Sequence, residues 1–310
     1  MYELDITPFG EWRRYDIHNP ANGNGFSLVP GKGATLLDLR FGGRQVLDGY
    51  SSPEELTIGK WGKSAVLFPF PNRLRDGRYN WQQQDYQFPI NNADTGNAIH
   101  GFARAESFEV VRVELTTESA EVECRLEYAG THPGYPFPCT LDLTFSMSNR
   151  RDFNVAFFLK NHHSQAIPAG FGWHPYFRLC EQADAHLLHL PECEKVAIDE
   201  RMIPTGEKTD FDEFVHDRQL DDTRLDNCFK VKKPGSLYRL GLAGSGGRLS
   251  VVASASSFPF FQVFTPPHRE SIALEPMTCN VDAFNNGEGL VTVPAGGDWL
   301  EAFRVEYYDH

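Results

Sequence analysis

The sequence is poor in the features that mark membrane, secreted or nucleic-acid-binding proteins. No apolar run approaches the roughly 20 residues of a membrane helix, so no membrane partner is expected. The opening Met1-Tyr2-Glu3-Leu4-Asp5 is acidic and has no apolar stretch of the kind a signal peptide carries. The cysteines at 124, 139, 180, 193, 228 and 279 include no C-x-x-C pair and are too scattered for a disulfide framework. Reduced thiols and a cytoplasmic location are the expectation. Basic residues are in deficit: 29 Lys and Arg face 42 Asp and Glu, a net charge of −13. That excludes nucleic acid as an expected partner, because phosphate backbones call for a basic surface. It leaves open a small ligand gripped by one arginine in a cleft.

Other absences narrow the chemistry. There is no G-x-S-x-G, which removes the usual serine-hydrolase elbow. The Gly-rich Ala243-Gly244-Ser245-Gly246-Gly247-Arg248 lacks the Lys-Ser/Thr of a phosphate loop and reads as a hairpin connection. His162 and His163 would point to opposite faces of a strand. His186 and His189 have helical spacing without a suitable carboxylate, so no metal site is expected. No linker, low-complexity tract or repeat divides the chain, and a single domain over residues 1–310 is expected.

What is present is period-2 alternation. Glu109-Val110-Val111-Arg112-Val113-Glu114-Leu115 and Leu300-Glu301-Ala302-Phe303-Arg304-Val305-Glu306 are clear half-buried strands, with many more between. Turn signals punctuate them. Asp76-Gly77 suggests a hairpin, and Ser52-Pro53 suggests the cap and first residue of a short helix. The segment 181–224 is polar and weakly periodic, and reads as an excursion over a sheet. Many strands with little helix predict an all-β fold, a large antiparallel sandwich or barrel.

Among the strands sit polar motifs in apolar surroundings: Pro71-Asn72-Arg73, His100-Gly101-Phe102-Ala103-Arg104, Gly172-Trp173-His174-Pro175-Tyr176-Phe177 and Leu274-Glu275-Pro276-Met277-Thr278. Glu275 follows an apolar run, where a carboxylate is costly unless paired or used. A structural ion pair is the alternative there, and a core imidazole bonded to a carbonyl is the alternative for His174 and His100. Together one guanidinium, two imidazoles and a carboxylate suit acid–base chemistry on a hydroxylated ligand.

With Ala98-Ile99 before His100, and with Pro133-Gly134-Tyr135-Pro136, Leu225-Asp226-Asn227-Cys228-Phe229 and Asp282-Ala283-Phe284-Asn285, these motifs in order resemble the aldose 1-epimerase (galactose mutarotase) family. The resemblance implies a large antiparallel β-sandwich of the galactose mutarotase type, a sugar in a cleft on one sheet, and no cofactor. It implies Glu275 as general base and His174 as general acid. It gives Arg73 and His100 to the ring oxygen and hydroxyls, with Asn72 beside them, and Asp226 to a hydroxyl. Pro175 after His174 departs from the family, as does the arginine-rich 73–78. His100-Gly101-Phe102-Ala103-Arg104 also resembles hexose-phosphate epimerases. The expected function is therefore interconversion of aldohexose anomers. A sugar-phosphate 1-epimerase using Arg75, Arg78 or Arg104, and a sugar-binding protein without turnover, are the alternatives. Two carboxylates, Asp226 and Glu275, would also suit glycoside hydrolysis.

Overall fold

The computed structural model describes residues 1–309. Strands dominate, and the α-helical segments among these residues are Pro53–Ile58 and Ala283–Asn286. The first begins as the sequence suggests. Ser52 is the cap, its hydroxyl accepting from the Glu55 N–H at 3.3 Å, and Pro53 opens the helix.

Two large antiparallel sheets form the sandwich. One has nine strands, in spatial order Glu109–Leu115, Ser119–Tyr128, Cys139–Ser148, Asp152–Asn161, Asp298–Tyr308, Gly247–Ser254, Leu237–Gly244, Leu187–His189 and Arg218–Gln219. The other has eight, running Pro204–Phe211, Cys193–Ile198, Asp226–Val231, Phe260–Phe264, Ile272–Met277, Gly172–His174 and Ala65–Leu67, with Tyr176–Phe177 also paired to Ile272–Met277. A five-stranded sheet from Glu3–Phe9 to Arg44–Gln45 packs its aromatics on the nine-stranded sheet: Phe26 meets Phe153 and Phe41 stacks on Tyr307.

Alternation explains which faces close. Along Asp152–Asn161, Phe153, Val155, Phe157 and Leu159 are buried while their neighbours are half-exposed. Across the sandwich Phe157 stacks on Phe171 at 3.9 Å and Trp173 on Phe303 at 5.7 Å. Each such ring removed from water contributes roughly 1.5–3 kcal/mol. Ile272–Met277 behaves differently, because every residue in it is buried. Ile272 and Leu274 join the main core, whereas Met277 belongs to a small cluster with Val196, Cys228, Phe260 and Val281. Glu275 shares the Met277 face. Register sets Glu275 opposite Gln262 and Gln262 opposite Cys228, so this second face carries polar groups under a cover of loops.

Two expectations need correction. Asp76-Gly77 is no hairpin turn. It lies in the 3₁₀ turn Arg75–Gly77, and the hairpin joins Arg78–Trp81 to Gln84–Gln87 through Gln82 and Gln83, at φ 50° and 66°. Asp76 instead accepts from the Arg201 guanidinium at 2.7 Å, a partner local patterning does not reveal. Residues 181–224 are not an excursion either. They contribute outer strands to both sheets, whose short or exposed faces carry little apolar periodicity.

Candidate active site

A cavity of about 340 Å³ opens on the second face of the eight-stranded sheet. Asn72, Arg73, His100, His174, Asp226 and Glu275 all line it, although they come from segments up to two hundred residues apart. The central strands supply Asp226, Glu275 and His174. The other three come from a ribbon in which Arg73–Leu74 pairs with Ala98–Ile99.

That ribbon holds its shape through unusual backbone. Asn72, His100 and Gly101 have φ of 57°, 67° and 61°. The His100 N–H donates to the Asn72 carbonyl at 2.8 Å, and the Asn72 N–H donates to His100 Nδ1 at 3.2 Å. Because Nδ1 accepts, the neutral ring carries its proton on Nε2, free to donate elsewhere. Burial drives the His100 pKa well below its ordinary value, helped by His174, Arg104 and Arg73, so the ring is neutral. Gly101 is required: a Cβ there would sit 2.1 Å from the Phe68 carbonyl oxygen. Asp282 anchors the other strand, donating its N–H to the Arg73 carbonyl at 2.8 Å and accepting from the Arg75 N–H at 2.9 Å.

At the centre His174 Nε2 lies 3.3 Å from Glu275 Oε1, with Glu275 1% exposed. Burial raises the Glu275 pKa well above the carboxylate range; Asp226 adds to this and Arg73 opposes it. Burial lowers the His174 pKa to about 3, and the charge of Arg104 pushes the same way. Separated charges are expensive here, so the pair holds one proton between them and is neutral as a whole. Glu275 Oε2 has no protein partner. The His174 ring is stacked on Tyr176 and meets the His100 ring edge-on, which fixes its plane.

The flank is one hydrogen-bonded chain. Gln262 Nε2 donates to Asp226 Oδ1 at 2.7 Å, Asn72 Nδ2 donates to Gln262 Oε1 at 3.2 Å, and the Arg73 guanidinium donates to Asn72 Oδ1 at 3.1 Å. Burial raises the Asp226 pKa and lowers that of Arg73, while each moderates the other. A file of fixed donors and acceptors beside an acid–base pair suits a polyhydroxylated ligand.

Gln262 was missed by sequence reasoning. Its signal was a lone amide at the middle of Phe260-Phe261-Gln262-Val263-Phe264. Trp61, Tyr176 and Phe264 supply apolar walls, with the Tyr176 hydroxyl donating to the Trp61 carbonyl at 2.9 Å. Of the arginines weighed for a phosphate, Arg75 is paired with Asp199 at 3.1 Å and Arg78 with Gln87 at 2.6 Å, outside the cavity. Arg104 lines it. Pro133-Gly134-Tyr135-Pro136 is packing: Tyr135 is fully buried and donates to the Pro168 carbonyl at 2.8 Å. His186 is a core histidine whose Nε2 accepts from the Leu179 and Cys180 N–H groups at 2.9 and 3.1 Å.

Comparison with known proteins agrees with this picture. The profile of the aldose 1-epimerase family matches residues 17–305. The uncharacterized protein YihR of Escherichia coli (strain K12) is 30% identical over 283 residues, spanning 89% of this chain and 88% of YihR. Among solved structures, a galactose mutarotase-like protein from Clostridium acetobutylicum superposes with a TM-score of 0.89 at 17% identity, over 100% of this chain and 99% of that one. The galactose 1-epimerase from Lactobacillus acidophilus NCFM gives a TM-score of 0.83 at 17% identity, with both chains fully covered.

Proposed function

The chain belongs to the aldose 1-epimerase family, and from that premise we propose that it interconverts the α and β anomers of an aldohexose. The observation that carries this reading is the Glu275–His174 pair, 3.3 Å apart at the buried floor of the cavity. Anomer exchange takes a proton from the C1 hydroxyl and delivers one to the ring oxygen. The ring opens, the aldehyde turns about C1–C2, and closure returns both protons. The two oxygens share C1, so the groups that serve them must be close neighbours.

In this reading Glu275 is the base at O1 and His174 the acid at the ring oxygen. The pair enters and leaves each cycle with the same single proton. Before binding, burial keeps that proton on the carboxyl; the hydroxyl at O1 and the Arg73 charge favour its ionisation, and the carboxyl proton passes to His174, leaving Glu275 as the carboxylate base and His174 as the imidazolium acid. Arg73, Asn72, Asp226 and His100 orient the remaining oxygens, and Gln262 holds Asn72 and Asp226 in place. No further reactant is called for.

Polarimetry of freshly dissolved α-glucose and α-galactose, above the uncatalysed drift, tests the proposal. Glu275→Gln and His174→Asn should each lower kcat about 10²–10⁴-fold with a smaller effect on binding. The double variant should lose less than the product of the single losses, because both act on one relay. Near-normal rates in both single variants would remove these residues from the mechanism. Binding of sugars without any turnover would favour a non-catalytic binding protein.

A further inference from the structure

Resting on the epimerase reading, we infer that Trp61 determines specificity. With Phe264 it walls off one face of the sugar ring, and the substrate is an aldopyranose with no axial hydroxyl on that face beyond the one at C1. Among the described residues Trp61 is the one tryptophan that lines the cavity, and its ring and that of Phe264 are both half-buried there. Its backbone is unusual. Trp61 has φ of 67° and ψ of −4°, a conformation that a bulky residue rarely adopts, and it lies between Gly59 and Gly62, each at φ 62°. Such a conformation persists only where its surroundings over-determine it, and it concentrates at ligand sites.

The surroundings do hold it. The Tyr50 hydroxyl grips the turn on both sides of the indole, donating to the Lys60 carbonyl at 3.0 Å and accepting from the Lys63 N–H at 2.9 Å. The Lys63 ammonium pairs with Asp48 at 2.8 Å, and the Ser64 N–H donates to the His174 carbonyl at 2.8 Å. The Trp61 carbonyl accepts from Tyr176, whose ring stacks on the His174 imidazole. The indole meets the Phe264 and His268 rings, each at 5.9 Å, and the Lys60 ammonium lies over it at 5.1 Å. The indole is therefore fixed relative to the acid.

Register gives the orientation. Gln262 is opposite Glu275, and two residues along these strands the same face carries Phe264 opposite Ala273, with Tyr176 beside Ala273. The edge strand Ala65–Leu67 separates the two walls of the cavity. The turn carrying Trp61 enters at its Ala65 end, beside His174, and the segment carrying Asn72 and Arg73 leaves at its Leu67 end, beside Gly172. The aromatic wall and the polar wall thus flank the row of Glu275 and His174 from opposite sides. A pyranose whose C1–ring-oxygen edge rests on that row turns one face to Asn72 and Arg73 and the other to Trp61 and Phe264. An axial hydroxyl on the first face finds hydrogen-bonding partners. On the second it loses water without a partner and holds the ring away from the indole. Equatorial hydroxyls lie at the rim of the ring, and the C–H groups of an unobstructed face pack on the aromatic surface.

The test compares anomer exchange of glucose, galactose, allose and gulose, each above its own uncatalysed rate. Beyond C1, glucose has no axial hydroxyl, galactose has one on one face, allose has one on the opposite face, and gulose has one on each. Gulose should fall below glucose in kcat/KM by about tenfold or more, the scale of one stranded hydroxyl. Of galactose and allose, one alone should share that fall, and its identity reports which ring face meets the indole. Trp61→Gly removes the indole and suits a φ of 67°. It should raise KM for glucose several-fold with a smaller change in kcat, and reduce the glucose-to-gulose ratio about tenfold. Trp61→Phe keeps an aromatic surface and should retain most of that ratio. Gulose performing as well as glucose, galactose and allose performing alike, or a ratio unmoved by Trp61→Gly overturns the inference. Calorimetric titration of glucose and gulose into wild type and Trp61→Gly separates the two readings. Selectivity in binding that Trp61→Gly abolishes, without turnover, supports the wall and overturns the epimerase reading. Turnover whose selectivity is independent of Trp61 does the reverse.

Discussion

Glu275→Gln preserves the shape of the cavity floor and removes its main proton-binding group, which makes it a test of the buried-pair argument through stability alone. The folded-state pKa of Glu275 is raised well above 4.5, by burial first and by Asp226 second, against the opposing charge of Arg73. Below pH 4.5 the folded and unfolded chains both hold this proton. Above it the unfolded carboxyl ionises while the folded one does not, so stability from this group is lost as pH rises toward its folded pKa. His174 acts in the opposite sense. Its folded pKa is lowered from 6.5 to about 3, so across that window only the unfolded imidazole is protonated and stability rises with pH. The two slopes cancel between the unfolded-state values of 4.5 and 6.5. Above 6.5 the Glu275 slope remains alone. One proton is worth about 1.4 kcal/mol per pH unit, so above about pH 6.5 wild type should lose stability relative to Glu275→Gln with a slope approaching that limit until the folded carboxyl ionises. Urea unfolding of both proteins at four pH values from about 5.5 to 8.5 measures the difference directly. Groups common to the two proteins drop out of the comparison. Parallel curves above pH 6.5 would mean that Glu275 is ionised in the fold, and the one-proton description of the pair would fall. The same raised pKa sets the alkaline limb of activity on the carboxyl and the acid limb on the imidazole, the reverse of the order of the free groups.

Two further outcomes test the supports of the site. Gln262→Leu strands Asn72 Nδ2 and Asp226 Oδ1; a loss of about 1–3 kcal/mol in urea unfolding and a raised KM are expected, and an unchanged KM would show the chain to be dispensable. Gly101→Ala sets a Cβ 2.1 Å from a carbonyl oxygen at φ 61°, and should cost about 3 kcal/mol or more in thermal unfolding. Gly287→Ala, at φ 75° but in open space, should cost only about 1 kcal/mol, so similar losses at the two positions would refute the close-contact argument.

The sequence by itself determined the β class, because alternation along segments such as Asp152–Asn161 is what a half-buried strand demands whatever it packs against. It also carried the family and the six polar residues that the structure brings to one cavity, five of them in motifs with glycine, proline or aromatics and Asp226 through the family resemblance alone. The capped helix at Ser52-Pro53 was legible for the same local reason. What lay outside local patterning was decided by tertiary structure. Strands at 181–224 were obscured because outer strands bury little. Gln262 took its meaning from register, which sets it against Glu275 and within reach of Asn72 and Asp226. Arg75, Arg78 and Arg104 are equivalent as letters; packing paired the first two and left Arg104 in the cavity without an acid. The protonation of Glu275 and His174 is a tertiary property too, since a pKa answers to burial and neighbouring charge, and both exist only once the distant strands have met.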